Sequence, residues 1–488
     1  MTASDSNRLR MTTVRETSLG VTPDTPRMRT MRLTGESLKY EPQFVQSNEI
    51  RSDRMNSDPI KVNEQNTGDV NFELSYPVPN SSFADFIQSL MFNPWANTPS
   101  FDNDGTADSA ITDAGTTTDT FAVDAGGAAV VEGHLVRATG FANASNNQIF
   151  RCASSTGTTI VGSGLNLTAE AAPAAAARLK VVGFQGASGD IAATSTGLSS
   201  TDLDFTTLGL VAGQWVKIGA TAAGDSFATA ACNGWARITA IAAHALTLDN
   251  LPTGWAADVG TGKTVKIWFG DQIKNGVTTT SLTIERGFMG QTAPTYIAQR
   301  GMVAGQAKLN WQTEQVITGS FTMNGLAGEQ GTVSLDDEPD AETTNRVMSA
   351  NVNVGRIAES GAAVSGPNYI QTLTLDVNNN LRMITGVGNM GSVDIGVGEF
   401  AINVTLTTYF GDNTLLTKLL AGTVGNLNCR TQKDSQALVM ALPRLTFTGG
   451  APSAGGKNQD VTLPLTGMVS KDTLTAASLI FDRLEYYE

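Results

Sequence analysis

Asp69-Val-Asn-Phe-Glu-Leu-Ser-Tyr76 sets Val70, Phe72 and Leu74 at alternate positions, with Asp69, Asn71, Glu73 and Ser75 between them. Successive side chains of a strand point to opposite faces, so this spacing predicts a sheet with one face in a core and the other wet or shared with a partner. The same short alternation, rich in Val, Ile, Thr and Phe and closed by Gly or Asn turns, returns at 315–323 (QVITGSFTM), 369–377 (YIQTLTLDV) and 399–409 (EFAINVTLTTY). The chain is expected to be mainly β.

Two segments read as helices that cover a sheet. Ser82 can cap residues 83–92, where Phe83, Phe86, Ile87, Leu90 and Met91 fall on one helical face and Asp85 sits in the first turn, a site that suits a carboxylate. The second runs from Thr414 to about Leu420, with Asp412 or Asn413 as cap and Gly422 as stop.

A chain of 488 residues exceeds one ordinary core and predicts two or three domains. Charged residues are 16% and hydrophobic ones 41%, a composition that folds. The net charge of -14 argues against a broadly basic DNA-binding surface and leaves room for a wall to which DNA must not adhere. The start has no apolar signal region and no stretch has the length of a membrane span, so synthesis in a cytoplasm and no membrane contact are expected. Cys152, Cys232 and Cys429 are far apart and odd in number, which fits buried thiols better than a disulfide or metal framework. With only His134 and His244 present, histidine-dependent catalysis is disfavoured, and no catalytic, cofactor or metal residue is assigned.

From residue 101 to about 271 the composition shifts to Ala, Gly, Thr and Ser, and one pattern occurs twice. VEGHLVR (131–137) answers VAGQWVK (211–217), NQIFR (147–151) answers NGWAR (233–237), and LKVV (179–182) answers VKIW (265–268). A duplicated small β module explains this, each copy the size of a sandwich domain. The block interrupts the chain, so the expected division is a discontinuous domain of 1–105 and 272–488, carrying module 1 (106–188) and module 2 (189–271).

Several motifs have bland readings. ADVGTGKT (257–264) fits the relaxed Walker pattern, but the strand-like TVKIWF follows where a helix is needed, so a turn between strands is expected. GVGNMG (386–391) matches the dinucleotide fingerprint, again without a following helix. The acidic run DDEPDAE (336–342) lacks the ligand spacing of a calcium loop and reads as a solvated loop or a docking loop for a basic partner. The chain supplies such a partner in Arg8, Arg10, Arg15, Arg27, Arg29 and Arg32. The expectation is that this basic segment of one subunit meets Asp336, Asp337, Glu338 and Asp340 of its neighbour.

The chain ends resemble the tail tube proteins (major tail proteins) of tailed bacteriophages. The ordered series is RLRMTTVRETSLGVTP (8–23), RLTGESLKYEP (32–42), SNEIRSDR (47–54), GDVNFELS (68–75), LTIER (282–286), GMV (301–303), GSFTMNG (319–325) and LIFDRLE (479–485). The resemblance implies a β-sandwich or barrel-like tube domain with a flanking helix, here interrupted by two tandem Ig-like sandwich modules. It implies copies that close into hexameric rings and stack into a hollow tube in the virion tail after assembly in the host cytoplasm. Partners would be other copies, tape measure, tail terminator and baseplate or tip proteins, and DNA in transit without sequence readout. A lumen lined by carboxylates and small polar groups would keep DNA centred, with Asp69 and Glu73 as candidates. Modules of this size cannot share the bore and so point outward, which favours a long non-contractile tail over one wrapped by a sheath. The alternative is a virion decoration or adhesin protein binding host surface polymers, in which Trp215, Trp235, Trp255 and Trp268 would either stack on sugars or pack a small core. An enzymatic role is not expected.

Overall fold

The computed structural model describes residues 4–105 and 110–487, so the expected boundary at residue 106 lies outside the described residues. Strands β1 (Leu9–Arg15), β2 (Lys39–Gln46) and β3 (Pro59–Glu73) and helix α1 (Ser82–Met91) come first. The Ala- and Gly-rich block then holds β4 (Ile111–Ala114), β5 (Thr120–Val123), β6 (His134–Thr139), β7 (Ile149–Ser155), β8 (Thr159–Gly162) and β9 (Arg178–Gln185). It continues with β10 (Ala192–Thr194), β11 (Gly197–Ser199), β12 (Trp215–Ile218), β13 (Gly234–Ala242), β14 (Ala245–Asp249) and β15 (Lys266–Trp268). Next are β16 (Asp271–Lys274), β17 (Leu282–Phe288), β18 (Thr295–Gln312), β19 (Thr318–Asn324) and β20 (Ala327–Gly331). The last part is β21 (Val354–Glu359), β22 (Ile370–Asn378), β23 (Arg382–Thr385), β24 (Ser392–Gly396), β25 (Ala401–Tyr409), α2 (Thr414–Ala421), β26 (Val424–Lys433), β27 (Gln436–Gly450), β28 (Val461–Val469) and β29 (Ile480–Glu485). The protein is mainly β, its sheets antiparallel, and no barrel closes among the described strands.

The strands before and after the block form one sheet system around one apolar core. Its strands repeat an order. The first series is β1–β17–β18–β19–β3–β2, and the second is β21–β26–β27–β28–β25–β22. The long strands β18 and β27 each pair with one partner along their first half and another along their second. Helix α1 packs into this core on nearly all sides, since Ala84, Asp85, Phe86, Ile87, Gln88, Leu90 and Met91 are all buried. Its cap is Ser81, whose hydroxyl accepts from the Ala84 N–H at 3.3 Å, one residue before the serine expected from sequence. Ser82 instead donates to the Arg29 carbonyl at 2.7 Å, which ties the helix to the N-terminal segment. Phe83 and Phe86 of the helix form an aromatic cluster with Phe72 and Phe321 of the sheet, with ring centroids 4.9–6.2 Å apart. Helix α2 buries only Leu415 and stops at Gly422, whose φ of 60° lets its N–H return to the Leu419 carbonyl.

Within the block the two copies of the sequence pattern fall on strands of matching order, β9–β6–β7–β8–β5–β4 and β15–β12–β13–β14–β11–β10. Asn147 clasps Phe141 through its backbone N–H and carbonyl at 2.9 and 2.8 Å, and Asn233 clasps Phe227 in the same way at 2.9 and 2.9 Å. The copies also join each other. β9 pairs with β15, Gly183 opposite Trp268, and both copies share one apolar cluster. A Cβ at Gly183 would stand 2.3 Å from the Ile267 carbonyl oxygen, so this approach needs glycine.

The block is fastened to the rest of the molecule. Trp215, Trp235 and Trp268 pack with Ala437, Val439, Leu484 and Tyr486 in a cluster of their own, with Trp235 edge-on to Tyr486 at 5.6 Å. Beside it the fully buried Asp271 takes hydrogen bonds from Lys180 Nζ at 2.8 Å, Arg483 Nε at 2.8 Å and the Thr98 N–H at 2.9 Å. Arg483 also donates to the Pro77 carbonyl and lies 4.1 Å from the Trp95 ring. Burial alone would raise the Asp271 pKa, but the two cations and the Thr98 amide hold it well below the usual carboxylate range. Its contribution to stability is therefore present above that range and lost only in strong acid. Asp271→Asn removes the carboxylate that both buried cations bond and is expected to lower unfolding free energy by about 3–5 kcal/mol in denaturant titration.

Asp482, on β29, takes a hydrogen bond from Gln272 at 2.9 Å while its second oxygen has no partner. Burial pushes its pKa up to about 8, against the weaker opposing pull of Gln272 and Lys274. The protonated form is favoured in the fold, so stability should fall as pH rises from the ordinary carboxylate range through about 8, with a slope of up to about 1.4 kcal/mol per pH unit. Denaturation curves across that window should show this slope in the native chain and its loss in Asp482→Asn.

Candidate functional site

The alternation at Asp69–Tyr76 continues across the sheet. Val70, Phe321, Ala307, Val377 and Ile402 lie opposite one another on successive strands and face the core. The residues between them build the opposite face across β3, β19, β18, β22, β25 and β28. Asp69, Asn71 and Glu73 stand on it with Thr318, Ser320 and Thr322, then Gln306, Lys308 and Asn310, then Thr372, Thr374 and Asp376, and then Asn403, Thr405 and Thr466. Asn71, Gln306, Lys308, Asn403 and Thr466 are exposed. Asp69 is half-buried and takes a hydrogen bond from Thr322 at 2.6 Å, and Glu73, also half-buried, lies opposite Thr318. Lys308 lies opposite Asp376, so a carboxylate accompanies this cation. The face is dominated by hydroxyls and amides, with its carboxylates set among them.

Two hairpins leave this sheet. β2 and the first half of β3 pair over residues 39–46 and 59–67, with Phe44, Val45, Ile50, Met55, Ile60 and Val62 all exposed. β23 and β24 form the other, and the GVGNMG motif is its turn, with Val387 and Met390 exposed. Exposed apolar side chains on both faces of a projecting hairpin are unusual for a protein that stays alone.

The charged segments expected to meet between subunits meet within this chain. Arg27 Nε bonds both oxygens of Asp340 at 2.8 and 3.0 Å, and the Asp336 carboxylate accepts from the Met28 N–H at 2.8 Å. Arg29 and Arg15 reach Asp85 at 2.9 and 3.3 Å, Arg10 bonds Ser334 at 3.1 Å, and Arg32 bonds the carbonyls of Thr343 and Asn345. The reason is local: the Thr30 N–H donates to the Asp340 carbonyl and the Asp340 N–H donates to the Met28 carbonyl, which lays the acidic loop along the arginines. Asp337, Glu338 and Arg8 remain exposed. Asp85, which sequence placed only at a helix start, is the buried acid that gathers two of these arginines; burial raises its pKa against their pull.

The other motifs are structural. Lys263 donates to the Ala223 carbonyl at 2.6 Å in a turn that runs into β15. His134 spans the Val131 N–H and the Leu208 carbonyl, and burial lowers its pKa to about 4. Gln214 makes the matching bond to the Val211 N–H in the second copy and donates to the Gly270 carbonyl. The three cysteines are buried thiols. Trp255 donates to the Thr194 carbonyl, and the other three tryptophans of the second copy lie against the C-terminal strand. Among the described residues no group of three or more His, Cys, Asp or Glu is placed to hold a metal, and no helix is long and apolar enough to cross a membrane.

A two-faced sheet with open edges and projecting apolar hairpins defines a structural protein made to join other molecules. The chain belongs to the family of phage tail tube proteins, whose model matches residues 6–240 and 219–469. No curated protein matches it. The family implies a structural, non-enzymatic subunit of the virion tail that assembles with itself and with other phage tail proteins.

The Arg27–Asp340 pair is partly exposed, so Asp340→Ala is expected to cost no more than about 1 kcal/mol in thermal or denaturant unfolding.

Proposed function

We propose that this chain is the wall unit of a long, non-contractile tail tube, in which copies close into stacked rings around a channel that conducts DNA. On this reading residues 1–105 and 272–488 build the wall, the two inserted modules (106–188 and 189–271) face outward, and the polar sheet face lines the bore. The observation that carries it is that face. Each lysine or arginine contact to phosphate would release counterions and add affinity, and contact repeated along a tube would hold DNA in place. A surface of hydroxyls, amides and carboxylates, with Lys308 opposite Asp376, lets the duplex slide. The exposed hairpins supply apolar surface for ring stacking, which would bury Phe44, Val45, Ile60 and Val62 at roughly 25 cal/mol per Å². Asp337, Glu338 and Arg8, left free by the contacts within the chain, are the remaining candidates for polar docking between subunits.

Purified protein viewed by negative stain is expected to form hollow tubes or stacked rings that do not retain duplex DNA near 0.1 M salt, where the screening length is about 10 Å. Monomers or isolated spikes at high concentration would refute the proposal. Asp337→Lys with Glu338→Lys should shorten or abolish these polymers with little change in monomer melting temperature.

A further inference from the structure

The repeated strand order extends to register. Val70, Phe72 and Leu74 correspond to Ile402, Val404 and Leu406, and at the same offset the start of α1 corresponds to the start of α2. Gly319 lies opposite Phe72 and Leu309, and Gly467 lies opposite Val404 and Phe447, each glycine preceded by a threonine. β20 and β29 hold the same place along the first halves of β18 and β27. The wall part is thus two copies of one fold in tandem, and the inserted modules occupy the helix-to-strand loop of the first copy, where the second has only Gly422 and Thr423.

Two strand pairings join the copies: β16 with β29, Asp271 opposite Arg483, and β18 with β22, which is the junction considered next. Residues 306–312 of β18 pair with residues 378–372 of β22, which brings Trp311 into the core beside Val354, Ile357 and Ile370. Each half of this junction has an unmatched counterpart. The counterpart of β18 is β27, where Val424 and Gly425 cover the corresponding edge as far as Thr446 and residues 447–450 stay open. The counterpart of β22 is the segment 32–37, which pairs with β3 through Gly35 opposite Asn71 and Glu36 opposite Val70, as Asp376 and Val377 pair with Asn403 and Ile402. Among the described residues no strand lies on the other edge of 32–37. A groove of about 830 Å³ opens there, lined by Arg10, Met11, Leu33, Thr34, Glu36 and Phe288.

We propose that residues 447–450 of one subunit enter this groove on the next and pair with its residues 32–37, so that the junction between chains repeats the junction within the chain. The occupant is a second copy, because the molecule already contains the bound form of the same two edges. This contact is heterologous and pairs the open edges, the arrangement that builds a closed ring. A ring then holds two folds per chain. Six folds around the bore need three chains, in place of the six chains that the family resemblance implies, and carry three pairs of inserted modules.

The inference rests on the tube proposal, and cross-linking separates the two. Thr34 and Thr448 are exposed and the native cysteines are buried. In assembled polymers of Thr34→Cys/Thr448→Cys, a short bis-maleimide should give a ladder of covalent multimers ending at three chains, while either single variant stays monomeric on a denaturing gel. Tubes of normal appearance that yield no ladder would overturn this junction and leave the tube proposal standing. A ladder ending at six chains would overturn the chain count, and native protein that never polymerises would remove both.

Discussion

Asp271 stands where four stretches of chain cross: the approach to the inserted block at Thr98, the block's own strand at Lys180, the return strand that carries Asp271, and the C-terminal strand at Arg483. A carboxylate with no exposure is tolerated only when its charge is matched and its oxygens are bonded, and here both conditions are met by groups far apart in sequence. The ion triad therefore acts as a lock on relative placement. Around it, Trp215, Trp235 and Trp268 close the apolar contact with Val439, Leu484 and Tyr486. The block is fastened by these contacts, and three of the four tryptophans that look available for sugar stacking in the sequence, Trp215, Trp235 and Trp268, are taken up by them.

The second constraint is that strand edges must be satisfied. Inside the block the edges of β9 and β15 pair with each other and leave one shared core. In the wall part, β18 and β22 do the same for the two copies of the tube fold. β16 and β29 add a second pairing between the copies, and among the described residues the counterparts of the β18–β22 edges, 447–450 and 32–37, stay unpaired. On the proposed junction, polymerisation repeats between chains the pairing that β18 and β22 make within one.

Much of the fold was legible because strand alternation is local. Val70, Phe72 and Leu74, and Ile402, Val404 and Leu406, declare their core face within a few residues. The inserted repeat was legible because its turns need particular residues: Asn147 and Asn233 clasp phenylalanines at the same spacing. The duplication of the wall fold left weaker traces, such as Ile317-Thr-Gly319 against Leu465-Thr-Gly467, because a core position accepts any apolar residue of suitable volume and so loses identity while keeping pattern. The pairing of Arg15 and Arg29 with Asp85 was not legible, since partners of a buried acid are set by how strands cross and not by nearness in sequence.

By itself the sequence determined a mainly β protein with one dry and one wet sheet face, an acidic net charge, a repeated pattern, and a likeness to tail tube proteins. These follow from periodicity, composition and turn chemistry, which act over short distances. Only the tertiary structure decided which arginines are spent within the chain, that the insert is locked by Asp271, that the wall fold occurs twice, and which strand edges remain open. Those depend on pairing between segments hundreds of residues apart, where geometry selects the partners.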